Sequence, residues 1–553
     1  MRQRARWAVA SACLLIAACT TVSPEPRAAD SYADYLVGRL ANLRQDHASA
    51  ADRYFAALRR EPRNDTLLNG AVIASLASGD EGRARQAANM APRMDAPAYA
   101  HLVRAADDMA AGRNDAAADE LVRAEGGAAE ELVARMMIVW AQSANGRVDS
   151  VVADLAPLSS VRPYGSLFAY QQAMALDFAG RDDEAIANYT AAAEGGMFLP
   201  PAAERHADLL ARAGRRDEAL VLLAADYNAS NPALAAARAR LAAGQPIQTR
   251  RITTARGAAV GLYGLAAIFQ QESDSTNALA TLTLALMLDP ELDAAHMMFA
   301  QVQSALGHAD LARAALARVP SASPYASSAR VMVAWTLIDE GRNDEALAIV
   351  RAAGEAGDLR AKRALADMYR NLDRFEHAEP IYTELIASAP NDWRLYFYRG
   401  AARERLGRWP DAEADFRRAL EISPEQPEVL NYLGYSWIDR GERLQEGLAL
   451  IERAVELRPQ SGAIIDSLGW AHYRLGDYPQ ALLHLEHAVE LEPADPTLND
   501  HLGDVYWRLG RRIEARFQWQ RALTLEPSNR EVIESKLEHG LPEEPAAQAT
   551  ATR

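Results

Sequence analysis

The 553 residues carry 49% apolar and 24% charged side chains, so the chain can bury a large core and is not of the disordered class. A formal net charge of −16, with lysine only at Lys362 and Lys536 and arginine scattered among acids, excludes the basic stripe that a nucleic-acid partner requires. Both cysteines, Cys13 and Cys19, fall in the first twenty residues, which excludes a disulfide framework, a thiolate zinc site or a cysteine nucleophile from everything that follows.

The chain opens as an export signal over residues 1–18. Arg2, Arg4 and Arg6 make a positive segment, and Trp7 to Ala18 make an apolar one of 12 residues. That is short of the roughly 20 residues a spanning helix needs. The stretch ends Leu15-Ile16-Ala17-Ala18-Cys19, which resembles the lipobox of bacterial lipoproteins. The resemblance implies cleavage before Cys19, acylation of Cys19, and loss of Cys13 with the signal. Residue 20 is Thr, where an Asp would retain such a lipoprotein in the inner membrane. The implied location is the periplasmic face of the outer membrane of a Gram-negative bacterium, with residues 19–30 as a polar tether.

Beyond the tether the sequence repeats. Pro459, Pro493 and Pro527 are spaced by 34, as are Pro390 and Pro424. In the register 462–495, Ile465, Leu468 and Gly469 fall on a first helix, Gly476 at a turn, and Ala481, Leu485 and Ala488 on one face of a second helix. This pattern resembles the tetratricopeptide repeat (TPR), a helix–turn–helix unit. It predicts an all-α fold, a TPR superhelix (α-solenoid) of about 14 units starting at 31, 65, 98, 132, 166, 200, 259, 293, 327, 359, 393, 427, 462 and 496. The small residue of the second helix is then Ala in twelve of the fourteen, with Val151 and Gly447 as the exceptions. The turn glycine is replaced by Gln45, Ser273 and Asp373 in three units.

The repeat is weakest over 234–258, which reads as a degenerate unit and a hinge between an N-terminal array (31–233) and a C-terminal array (259–540). Residues 541–553 have no apolar period and read as a disordered tail. No phosphate-binding loop, His-Glu-x-x-His motif or nucleophile elbow is present, and the repeats leave no room for a catalytic domain. His484 and His487 are three apart on one helix but lack further ligands of matching geometry, so they read as exposed side chains. The expectation is a protein without catalysis, cofactor or metal.

The TPR resemblance also sorts the aromatic residues. Trp409, Trp437 and Trp519 fall on core positions. Phe397, Asn431, Tyr435, Asp466, Trp470, Tyr473, Arg474, Asp500, Asp504, Trp507 and Arg508 fall on positions that face the groove, and form the candidate partner-binding surface for a helix or extended peptide. The carboxylate clamp of chaperone-binding TPR domains needs a groove lysine, and Phe397, Asn431, Asp466 and Asp500 stand in the relevant places. Finally, Leu430-Asn431-Tyr432-Leu433-Gly434-Tyr435-Ser436, Asp466-Ser467-Leu468-Gly469-Trp470 and His501-Leu502-Gly503-Asp504-Val505-Tyr506-Trp507 resemble outer-membrane TPR lipoproteins that serve as adaptors of periplasmic carboxyl-terminal-processing proteases. That resemblance implies a scaffold that delivers substrates such as cell-wall hydrolases to a protease. The alternative is a structural subunit of an envelope secretion, pilus or polysaccharide-export assembly.

Overall fold

The computed structural model describes residues 26–542, apart from residues 145, 226, 227 and 229. The export signal, Cys13, Cys19, the first part of the tether and all but the first two residues of the tail lie outside the described residues. Among those described, thirty α-helices follow one another with no strand, and twenty-eight of them pair into the fourteen expected units. The other two are Pro232–Ala242 and Arg530–His539. None of the described helices is long and apolar enough to cross a membrane.

Local chemistry sets the helix boundaries. Asp46, Asn64, Asp80, Asp274, Asp358, Asp392, Asp477 and Asp495 each accept a backbone N–H of the helix that follows, satisfying a donor that the first turn cannot. The turn residue within each pair is left-handed. Gly476, for example, has φ 78°, and Gln45, Ser273 and Asp373 hold φ of 62°, 62° and 54° where glycine is missing. The small residues behind the turn are the packing contacts. Ala50, Ala84, Ala278, Ala412, Ala481 and Ala515 are fully buried, and Val151 nearly so. Helix axes there approach closely, so a larger side chain has no space.

The chain divides into two compact units between Val350 and Arg351. The segment 234–258 therefore lies inside the first unit, where sequence had suggested a hinge. Its residues are tied down. Arg250 and Arg256 both reach Asp289, at 3.0 and 3.1 Å, and Thr249 donates to Asp208 at 2.8 Å.

The helix pair after this strap, Thr254–Gln271 and Ser275–Leu288, packs back against the first helices of earlier repeats. Gly257, Gly261 and Gly264 make a smooth face on it. A Cβ at Gly257 would lie 2.3 Å from the Trp140 ring, at Gly261 3.0 Å from Gln171, and at Gly264 2.6 Å from Leu167. The second helix docks by hydrogen bonds. Thr283 donates to the Leu76 carbonyl at 2.7 Å, and Asn277 accepts from the Tyr99 hydroxyl at 2.8 Å. Ser275–Leu288 carries no charge, and every residue from Ala278 to Leu288 is buried. A helix apolar on all sides belongs inside a core. The first unit thus uses its own repeat to cover the inner wall formed by Asp65–Ala77, Ala98–Ala110, Ala128–Ser143 and Gly165–Phe178.

Candidate functional site

In the second unit the first helices of successive repeats, Trp393–Arg405, Pro427–Arg440, Gly462–Arg474 and Pro496–Arg508, form the corresponding wall. Glycines orient them. A Cβ at Gly400, Gly434, Gly469 or Gly503 would lie 2.5 to 2.8 Å from Phe416, Gly447, Leu485 or Trp519 of the partner helix. Each glycine must therefore face its second helix, which fixes the opposite face as the wall. Trp409, Trp437 and Trp519 are buried, at 6%, 3% and 0% exposure, on the core positions expected of them.

The candidate wall residues fall into three groups. At the start of the wall, Phe397 is packing. Its ring sits 6.0 Å from Phe416 and 5.7 Å edge-on from Tyr432. In the middle, Tyr435, Trp470 and Tyr473 are half-buried. Trp470 is stacked between His501, at 4.1 Å, and Tyr473, at 4.7 Å. Burial pushes the Tyr435 hydroxyl up to about 12, so it remains a donor across the physiological range. The Asn431 Oδ1 and Trp470 Nε1 atoms are buried without a hydrogen-bond partner among the described residues. Such orphaned polar atoms cost stability unless something else satisfies them. Arg474 is held by Asp439 at 2.8 Å.

Asp466 is buried and accepts from His501 Nδ1 at 2.9 Å. Burial alone would keep the His501 imidazole neutral, but Asp466 outweighs it and holds the ring above its ordinary pKa. Asp466 thus anchors the His501 ring against which Trp470 stacks.

The third group is covered by the chain itself. Lys536, on the closing helix Arg530–His539, reaches Asp500 at 2.7 Å and Asp504 at 2.8 Å. Burial disfavours its ammonium, and the two carboxylates more than reverse this. Asn529 also donates to Asp500, and Trp519 Nε1 to Asp504. Trp507 lies beneath Gly540, where a Cβ would fall 1.8 Å from its ring, and Arg508 donates to the Pro542 carbonyl at 2.8 Å and to the Tyr473 hydroxyl at 3.2 Å. Asp500, Asp504, Trp507 and Arg508, expected from sequence to face a partner, therefore face residues 529–542. The reason is sequential: among the described residues the closing helix follows this repeat and stands where the first helix of a further repeat would.

Sequence reasoning missed Lys536 and His501. Lys536 is one of only two lysines in the chain, and a conspicuous one. His484 is half-buried against His472, with ring centroids 5.4 Å apart, rather than exposed. In the first unit a cavity of about 220 Å³ opens beside the strap, lined by Met174, Glu204, Ile252, Val260, Asp293 and Tyr325 among others. Burial, and then the nearby Asp208 charge, push the Glu204 carboxyl up to about 7.

Residues 363–427 and 407–462 match the tetratricopeptide repeat family, and residues 469–510 match its TPR repeat. The second unit is a tetratricopeptide-repeat array. The chain is similar to a TPR repeat-containing protein of Pseudomonas aeruginosa, 33% identical over 152 residues, which is 27% of this chain and 26% of that protein. It is also similar to the SGT1 homologue of Oryza sativa subsp. japonica, 34% identical over 103 residues, covering 18% of this chain and 26% of that one. The matched part thus spans about a quarter of the length of these curated relatives. A tetratricopeptide repeat protein from Parabacteroides merdae is similar in structure at 18% identity, with a TM-score of 0.38 over 44% of this chain and 96% of that one.

Proposed function

We propose that this TPR protein is a lipid-anchored periplasmic adaptor. Cys19 would hold it to the outer membrane, and the wall of the second unit would take a partner protein. In this reading the partner is a carboxyl-terminal-processing protease, to which the scaffold brings substrates such as cell-wall hydrolases. TPR arrays work by binding proteins or peptides, and the chain needs no catalysis of its own for this role. One observation carries the reading. The middle of the wall presents Tyr435, Trp470 and Tyr473 half-buried, with the buried Asn431 Oδ1 and Trp470 Nε1 unpaired. Rigid amphipathic rings with part of their surface open suit a protein ligand.

The test is capture from detergent-solubilised envelope. The wild-type chain should retain a protease, and Tyr435→Ala with Trp470→Ala should lose it while helicity is unchanged. Capture of stable membrane subunits without a protease would favour the structural-scaffold alternative. Capture of neither would end the adaptor reading.

A further inference from the structure

The first described helix, Pro26–Leu43, is two-faced. On one side Gly38 lies against the ring of Tyr54, at 3.2 Å from where its Cβ would stand, and Asp34 pairs with Arg60 at 2.7 Å. On the other side Tyr32, Leu36, Leu40 and Leu43 are 62%, 46%, 47% and 75% exposed, with Val37 beside them at 46%. At about 100° per residue the first four fall within an arc of about 80°. This is the face on which a preceding repeat would stack, and terminal repeats ordinarily make it polar. The closing helix is mostly polar where it meets solvent, showing Arg530, Glu531, Glu534, Ser535 and Glu538, with Val532 its one exposed large apolar side chain.

We infer that this helix lies in the plane of a lipid bilayer, with Tyr32, Leu36, Leu40 and Leu43 among the acyl chains and Arg39 and Arg44 at the phosphates. The inference rests on the reading of Cys19 as the lipid attachment. Seven residue steps separate Cys19 from Pro26, which is at most about 25 Å of extended chain. An acylated Cys19 thus keeps the stripe within reach of the surface. Exposed Arg39 and Arg44 border the stripe, as basic residues border an interfacial helix. Docking this helix would set the direction in which the first unit leaves the membrane.

The experiment uses the full lipidated chain with Cys13 replaced in the signal, reconstituted in vesicles of phosphatidylethanolamine and phosphatidylglycerol. Leu36→Cys, Leu40→Cys and the control Leu483→Cys, itself 61% exposed, each carry a polarity-sensitive fluorophore. Vesicle flotation reads the anchor, and fluorophore emission reads the helix. The expected result is flotation of all three, with a blue shift and loss of iodide quenching at 36 and 40 and neither at 483. Flotation with water-like emission at 36 and 40 overturns the docked helix and leaves the anchor standing. Absence of flotation overturns both. A shift that appears without vesicles and grows with protein concentration assigns the stripe to a second copy of the chain, and also overturns the inference.

Discussion

Replacing Gly257 by Ala tests whether the first unit fills its own wall. The added Cβ would stand 2.3 Å from three carbons of the Trp140 ring, against an ordinary contact of about 3.5–4.0 Å. The ring must retreat by more than an ångström, and it cannot do so freely. Trp140 is fully buried, meets Phe178 edge-on at 6.1 Å, and donates Nε1–H to Gln171 at 2.7 Å. Overpacking of this kind costs about 1–3 kcal/mol, and a strained or lost buried hydrogen bond about 1–3 kcal/mol more. The summed loss is about 2–6 kcal/mol. Hydrogen exchange followed by mass spectrometry reads it locally, as faster exchange across 254–288 and 128–143. Trp140→Phe, which vacates part of the overlap, should recover some of the loss in the double variant. Unchanged protection in Gly257→Ala would refute the close approach of these helices.

Three further outcomes follow from the described geometry. Asp373→Gly should stabilise the second unit by about 1 kcal/mol, because a left-handed residue pays for its Cβ, and Gly476→Ala should cost about as much although nothing lies within 4 Å of the new methyl group; thermal unfolding of both variants checks this. Lys536→Met should cost about 3–5 kcal/mol by leaving Asp500 and Asp504 buried without their cation, and adding Asp500→Asn and Asp504→Asn should restore most of it in denaturant titrations. Glu204 binds a proton in the folded state up to about pH 7, whereas its ordinary value is 4.5. Its contribution is therefore complete below pH 4.5 and is lost as the pH rises to 7, about 3 kcal/mol at most. Glu204→Gln should accordingly leave stability unchanged at pH 4 and raise it at pH 8.

Most of the fold was legible because the repeat writes it fourteen times. Glycine or a substitute at each turn, and alanine behind it, reflect a left-handed backbone and a close helix contact that few other residues permit. Gln45, Ser273 and Asp373 keep the glycine geometry without glycine, so the position was readable from spacing even where the residue type was not. What spacing could not reveal is which repeats turn inward. The pair 254–288 has the ordinary repeat pattern, and only the lack of charge in Ser275–Leu288 and the Gly257, Gly261 and Gly264 face of the helix before it mark it as packed inward. The wall of the second unit was half legible for a similar reason. Periodicity placed Trp470 and Trp507 on the same face, but the one stays half-buried in a stack with His501 while Gly540 lies over the other. That difference depends on the closing helix, which no repeat predicts.

The most direct measurement is photocrosslinking in living cells, with a benzophenone side chain placed in turn at Tyr435, Tyr473, Tyr99 and Trp507. If the second unit's wall is the binding surface and the first unit's is self-covered, positions 435 and 473 capture one partner protein and position 99 captures none. Position 507 crosslinks within the chain, to residues 529–542. Partner capture at 99, or its absence at 435 and 473 in cells where the protein is functional, would contradict this assignment.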